Sequence, residues 1–475
     1  MSLHPSLHPK DRRPPIHSNS NFSFTRSFVH GELHYRLWYF IARGIGFVNS
    51  AIVIASLTTY QYGTFQLFLS FSAITAGLLS LDGGVIGNDI MRAVGEKDEV
   101  RAKRLFLESF WIRAFIGVVF WAVVFFGINF FDHRYKSDFI QMIRITSFLI
   151  PCSVLTMSLK SLLKTRLAFR HVASRSTFGK VVQLLILFGF SIFATITTRE
   201  VLISVVVSSV AGIVSLLGPA WKAYQPWRGI FLKKGLLLPG IFRSYGKWVF
   251  LKEFFVRATE GAQPWLIKIF VSTEAVGIYN IAIALVDFIQ SVISMQTLTT
   301  LIPRSITNRD QLRRIFVSGV KFFTVVALGL AMLGAVFGTE VVILFFNQHR
   351  GALPYFYLLL LLVPLVPLLQ FTSAFLVAFR SQKFFFLLTV IRSIVSLLLL
   401  FFMLPVIGLW GVALTRIVSD SLTGIWSYLF LVRRHPYVLI RKGDIFSYSA
   451  DDRFIVDRML RMGGEWLRSI LRFAR

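Results

Sequence analysis

Long apolar runs separated by short polar gaps occupy almost the whole chain, and two of them, 357–369 and 397–403, carry no charge at all. A helix that crosses a bilayer needs about 20 mostly apolar residues. Runs close to that length recur along the sequence, and none shows the two-residue alternation of a transmembrane barrel. Only helices and closed barrels satisfy their own backbone in lipid, so the pattern predicts an all-α polytopic membrane protein. Its twelve helices are expected at 34–58, 63–86, 106–130, 139–160, 178–197, 200–221, 245–270, 275–300, 313–338, 353–377, 384–404 and 408–432.

Three polar segments frame these helices. Residues 1–33 are rich in Pro, Ser, Asn and His and lack the apolar core of a signal peptide, so they read as a disordered cytoplasmic tail. Residues 222–244 form a basic linker between an N-terminal lobe, 34–221, and a C-terminal lobe, 245–432. In the tail 433–475, Arg458, Arg461, Arg468 and Arg472 share one helical stripe beside Ile455, Met459, Met462 and Trp466. Such a basic amphipathic helix is expected to lie on anionic lipid.

Charge gives these helices a direction. The 475 residues carry 51 Lys and Arg against 23 Asp and Glu, a net charge of +28, at a mean hydropathy of +0.66. The cations are concentrated in alternate gaps: 38 fall on the side of the two termini and only Arg134, Lys136, Arg199 and Arg350 on the other. The positive-inside rule then puts both termini of a multi-pass membrane protein in the cytoplasm. A charge pattern of this kind excludes a nucleic-acid partner. One cysteine, Cys152, provides neither a disulfide framework nor a thiolate metal site, and the scattered His4, His8 and His17 lack partners for one. No cofactor motif is present, and the far-side gaps are too short for an external catalytic domain, so the chain is not read as an enzyme.

Sliding the sequence against itself by 214 residues aligns Arg43 with Arg257, Asn49 with Gln263, Thr59 with Thr273, Gly63 with Gly277 and Phe65 with Tyr279. The first and seventh helices are therefore equivalents. Because six helices separate them, the two copies share one orientation and face each other about an axis along the membrane normal. Two pseudo-symmetric six-helix lobes around a central cavity are the layout of an alternating-access carrier.

Charges inside the spans are costly, on the order of 3 kcal/mol each at a helix centre, and need partners or water. Arg113, Arg144, Lys321 and Arg392 lie near predicted helix ends, where long stems reach the headgroups. The seventh helix differs, because Glu253, Arg257, Glu260, Pro264 and Lys268 draw one polar stripe along it. Glu253 and Arg257 stand in the favourable i,i+4 order, and Pro264 frees the carbonyl of Glu260, so this helix suits a gate. Asp287, Arg416 and Asp420 are the other deep charges, the last two one turn apart.

Tyr62-Gly63-Thr64-Phe65, then Leu81-Asp82-Gly83-Gly84 with the charged loop to Arg104, then Glu274-Ala275-Val276-Gly277-Ile278-Tyr279 and Leu301-Ile302-Pro303-Arg304 resemble the polysaccharide flippases of the multidrug, oligosaccharidyl-lipid and polysaccharide exporter superfamily. The resemblance spans roughly 34–432 and implies a flippase that carries undecaprenyl-diphosphate-linked oligosaccharide from the inner to the outer leaflet. It implies partners among glycan polymerases and glycosyltransferases as well. A sugar diphosphate needs a hydrated, positive cavity, and arginine binds diphosphate with two parallel hydrogen bonds. Arg43 and Arg257, with Lys252 and Arg416, are the expected substrate contacts. Glu253, Glu260, Pro264, Asp287 and Asp420 are the expected gating or coupling residues, the carboxylates carrying a proton or Na⁺. The rival readings are a multidrug or organic-cation antiporter of the same superfamily, a membrane-embedded glycan polymerase or ligase, and a non-transporting scaffold.

Overall fold

The computed structural model describes residues 38, 41–79, 85–131, 137–166, 168–193, 195–231, 236–243, 247–293, 309–379, 381–441 and 443–444. The N-terminal tail 1–33, the motifs at 81–84 and 301–304 and the amphipathic stripe at 455–473 lie outside the described residues. Among the described residues the chain is helical, with no strand.

Among the same residues, twelve long helical stretches follow one another, and seven segments are long and apolar enough to cross a membrane. The N-terminal lobe holds α1 (Ile41–Ser56), α2 (Thr59–Leu79), α3 (Glu99–Gly127), α4 (Ser137–Thr165), α5 (Phe169–Phe193) and α6 (Thr198–Tyr224). The C-terminal lobe holds α7 (Lys247–Phe270), α8 (Thr273–Val292), α9 (Arg309–Phe346), α10 (Leu353–Leu360 and Val366–Ala378), α11 (Gln382–Ile407) and α12 (Leu409–Arg434). Both ends of this array lie on one face, called here the terminal face. The opposite face carries tight connections and is called the turn face. One such turn is capped by Ser272, whose hydroxyl accepts from the Ala275 amide at 3.1 Å. Another turns on Gly408, whose φ of 57° favours glycine.

Several boundaries differ from those the apolar pattern predicts, each for a local reason. α4 breaks at Phe148, three residues before Pro151, and α10 breaks into a 3₁₀ turn at Val363–Leu365, where Pro364 and Pro367 supply no amide donor. α9 does not stop near 338 but runs 38 residues, about 57 Å at 1.5 Å per residue. Thr339 and Glu340 look like a helix end, yet the Thr339 hydroxyl bonds Tyr357 of α10 at 2.6 Å and the helix continues. The expected basic loop between the fourth and fifth helices shrinks to 166–168, so Lys160, Arg175 and Lys180 belong to α4 and α5.

One apolar cluster crosses both lobes, joining Leu57 and Phe68 to Val276 and Ile281 near the turn face and continuing through the C-terminal lobe to Phe316 and Leu431 near the terminal face. A second cluster lies in the N-terminal lobe near the terminal face, around Ile90, Leu105, Leu163 and Trp227. There Glu108 accepts from the Leu237 and Leu238 amides, each at 2.9 Å, and Lys103 donates to the Ile230 carbonyl at 2.8 Å. Much of the linker is thus strapped onto α3. The start of the C-terminal tail is also held, through Arg313 and Asp444 at 2.9 Å.

Candidate functional site

The lobes approach closely where α2 and α8 begin. A Cβ on Gly63 would overlap the carbonyl oxygen of Thr273, and one on Gly277 would overlap that of Thr59. Gly63 thus meets Thr273 while Gly277 meets Thr59, and the two contacts are exchanged by a shift of 214 residues, the reciprocity expected of a two-fold. Deeper in the membrane α2 packs along α7, with Gly77 against the Arg257 stem and Gly261 against Ile74.

Between the lobes, α1, α5 and α8 enclose a cavity of about 210 Å³ lined by Arg43, Gly46, Lys180, Asp287 and Ser291. Its wall is built by small residues. Gly46 leaves room for the Lys180 ammonium against α1, and a Cβ there would overlap Nζ. Asn49 anchors α5 by donating to the Lys180 carbonyl at 2.9 Å and to Gln183 Oε1 at 3.3 Å. Phe47 and Phe288 stack across the lobes with centroids 4.3 Å apart. Between α4, α5 and α6, Arg175 donates to Thr156 Oγ1 at 2.7 Å beside Lys160. Among the described residues, no carboxylate pairs with Lys160, Arg175 or Lys180.

The C-terminal lobe holds a second cavity, of about 350 Å³, bordered by Glu260, Gln263 and Pro264 of α7, Asp287 of α8, Arg392 of α11 and Arg416 and Asp420 of α12. Its charges are compensated. Asp420 pairs with Arg392 and lies 4.0 Å from Arg416, whose Nη2 is 3.4 Å from Asp287 Oδ1. Asp287 borders both cavities and so links the paired network to the cationic side.

The expected site residues separate accordingly. Arg43 lines the inter-lobe cavity, while its counterpart Arg257 packs on α2 and pairs with Glu260 at 3.2 Å. The anticipated Glu253 to Arg257 pair does not form, because Glu253 takes Lys252 at 3.1 Å and Lys252 also stands over the Phe385 ring. Asp420 favours Arg392 over its neighbour one turn back, since α11 lies alongside α12. α7 remains helical through Pro264. Two cations assigned to headgroup contact have other surroundings: Arg113 is fully buried and Arg392 enters the paired network. The apolar pattern alone places Lys160, Arg175 and Lys180 with or beside loop charges. Phe169 and Val172, three apart with no Pro between them, are the signal that α5 has already begun.

A family profile described as "Polysaccharide biosynthesis protein" matches residues 31–308. No individually curated protein matches in sequence. The fold is similar to a multidrug resistance MATE family transporter of the MOP superfamily in an inward-facing conformation, at TM-score 0.65 and 15% identity over 84% of this chain and 94% of that one. It is similar as well to the lipid II flippase MurJ, at TM-score 0.66 and 13% identity over 92% and 99%. A third similar structure is the MATE multidrug transporter DinF-BH, at TM-score 0.61 and 14% identity over 91% and 100%.

Proposed function

Because the chain belongs to the polysaccharide biosynthesis protein family, we propose that it is a flippase that moves a prenyl-diphosphate-linked oligosaccharide from the inner to the outer leaflet of the bacterial cytoplasmic membrane. The observation that carries this reading is the inter-lobe cavity, where Arg43 and Lys180 meet with Lys160 and Arg175 deeper in the same lobe. Partly buried cations such as Lys160, Arg175 and Lys180 are retained at a cost, and an anionic cargo offsets it. Arg43 and Lys180 hold the diphosphate while the prenyl chain stays in lipid.

The compensated cavity of the C-terminal lobe supplies the coupling. Arg416 and Lys252 are occupied by Asp287 and Glu253, so they reach the cargo only when those carboxylates release them. A proton or Na⁺ on Asp287, Asp420 or Glu260 loosens this network, and a cargo anion on Arg43 changes the field at Asp287 next to it. The 38 to 4 distribution of cations sets both termini in the cytoplasm, with glycan-assembling enzymes as partners. The same carboxylates favour a second reading, an organic-cation exporter, since they would suit a positive cargo.

Complementation of a flippase-deficient strain tests the proposal. Arg43→Ala and Lys180→Ala at normal membrane abundance are expected to lose glycan export, and wild-type export by both would refute it. Dye efflux that depends on Asp287 in reconstituted vesicles would support the second reading instead.

A further inference from the structure

At the turn face the C-terminal lobe reaches the end of α1. α1 ends at Ser56, and the last carbonyls of a helix have no partner within it. Here they are taken up from the other lobe. The 3₁₀ turn Asn347–Ala352, which joins α9 to α10, brings two side chains to this helix end. The Gln348 amide nitrogen faces the carbonyl oxygens of Ala55 at 3.0 Å, Leu57 at 3.1 Å and Ile54 at 3.4 Å. His349 is fully buried, 1% exposed, and its Nε2 lies 2.8 Å from the Ile54 carbonyl. A carbonyl only accepts, so Nε2 carries the proton and Nδ1 accepts from the Thr59 hydroxyl at 3.0 Å. Thr59 is also the residue whose carbonyl presses on Gly277. One turn of the C-terminal lobe thus grips the α1–α2 corner of the N-terminal lobe beside the close approach of Thr59 to Gly277.

We propose that Gln348 and His349 form a latch that holds the turn face of the cleft shut. The inference rests on the alternating-access reading: cargo can leave towards the turn face only when the α1 carbonyls exchange these side chains for water. Contacts made in one state alone bias the equilibrium towards it. Each hydrogen bond lost is expected to move the closed-to-open ratio about fivefold.

Spin labels on Tyr60→Cys in α2 and Leu344→Cys in α9, both exposed near the turn face, read the opening without cargo in the full-length protein in vesicles, with Cys152→Ser as background. Gln348→Leu keeps the bulk and removes the donor; Thr59→Val removes the hydroxyl and leaves His349 in place. Both are expected to increase the long-distance population about fivefold or more, and together to add. An unchanged distance distribution in both variants overturns the latch. Because Gln348 is exposed, its variant remains a fair test even where substitution of His349 itself prevents folding. The distances report on the gate whether or not glycan moves, so failure of the latch and failure of the flippase reading are separately visible.

Discussion

The two lobes share one topology but handle interior charge in opposite ways. In the N-terminal lobe Lys160, Arg175 and Lys180 sit inside the helical array with no carboxylate partner among the described residues. In the C-terminal lobe Arg392 and Arg416 are tied to Asp420 and Asp287. An ion network whose members satisfy one another contributes to structure, and removing one member leaves the others stranded. An uncompensated cation contributes little to structure and much to attracting an anion. On the proposed function, the same scaffold has a half that binds cargo and a half that responds to it.

This contrast predicts different consequences of charge removal on the two sides. Lys180→Met is expected to reduce transport about 100-fold, the effect of truncating one charge-assisted contact to cargo, while the melting temperature in detergent stays level or rises. Asp420→Ala is expected to act in the reverse order. It strands Arg392, leaves Arg416 with Asp287 alone, and destabilises the protein by about 2 kcal/mol, below the range for a fully buried pair because the Arg392 side chain is 43% exposed. Thermal unfolding checks it, and a neutral result would dissolve the distinction between the lobes.

Two smaller effects probe the interface and the margin. Gly277→Val is expected to cost the closed arrangement roughly 1–3 kcal/mol through overlap with the Thr59 carbonyl, seen as a shift of the spin-label distances towards the open population. Lys252→Met should change stability by no more than about 0.5 kcal/mol, since its partly exposed pair with Glu253 joins adjacent residues.

The helical class, the two-fold and the deep charges Asp287, Arg416 and Asp420 are legible in the sequence because each depends on period or composition along one helix. What is not legible depends on contacts between helices. Arg392 lies 28 residues from Asp420, and nothing local marks the pair. Lys160, Arg175 and Lys180 pass for loop charges because polar residues on an inward stripe dilute the apolar signal that defines a span. Gln348 and His349 look like an ordinary short turn, and their partners are carbonyls of α1 that carry no side-chain signature.

Recognition of a prenyl diphosphate by the N-terminal lobe's cations, as proposed, has a direct test. Thermal stabilisation of the purified full-length protein by farnesyl diphosphate, compared among wild type, Lys180→Met and Asp420→Asn, decides it. Stabilisation of wild type and Asp420→Asn with none of Lys180→Met is expected; equal stabilisation of all three would rule out recognition through Lys180.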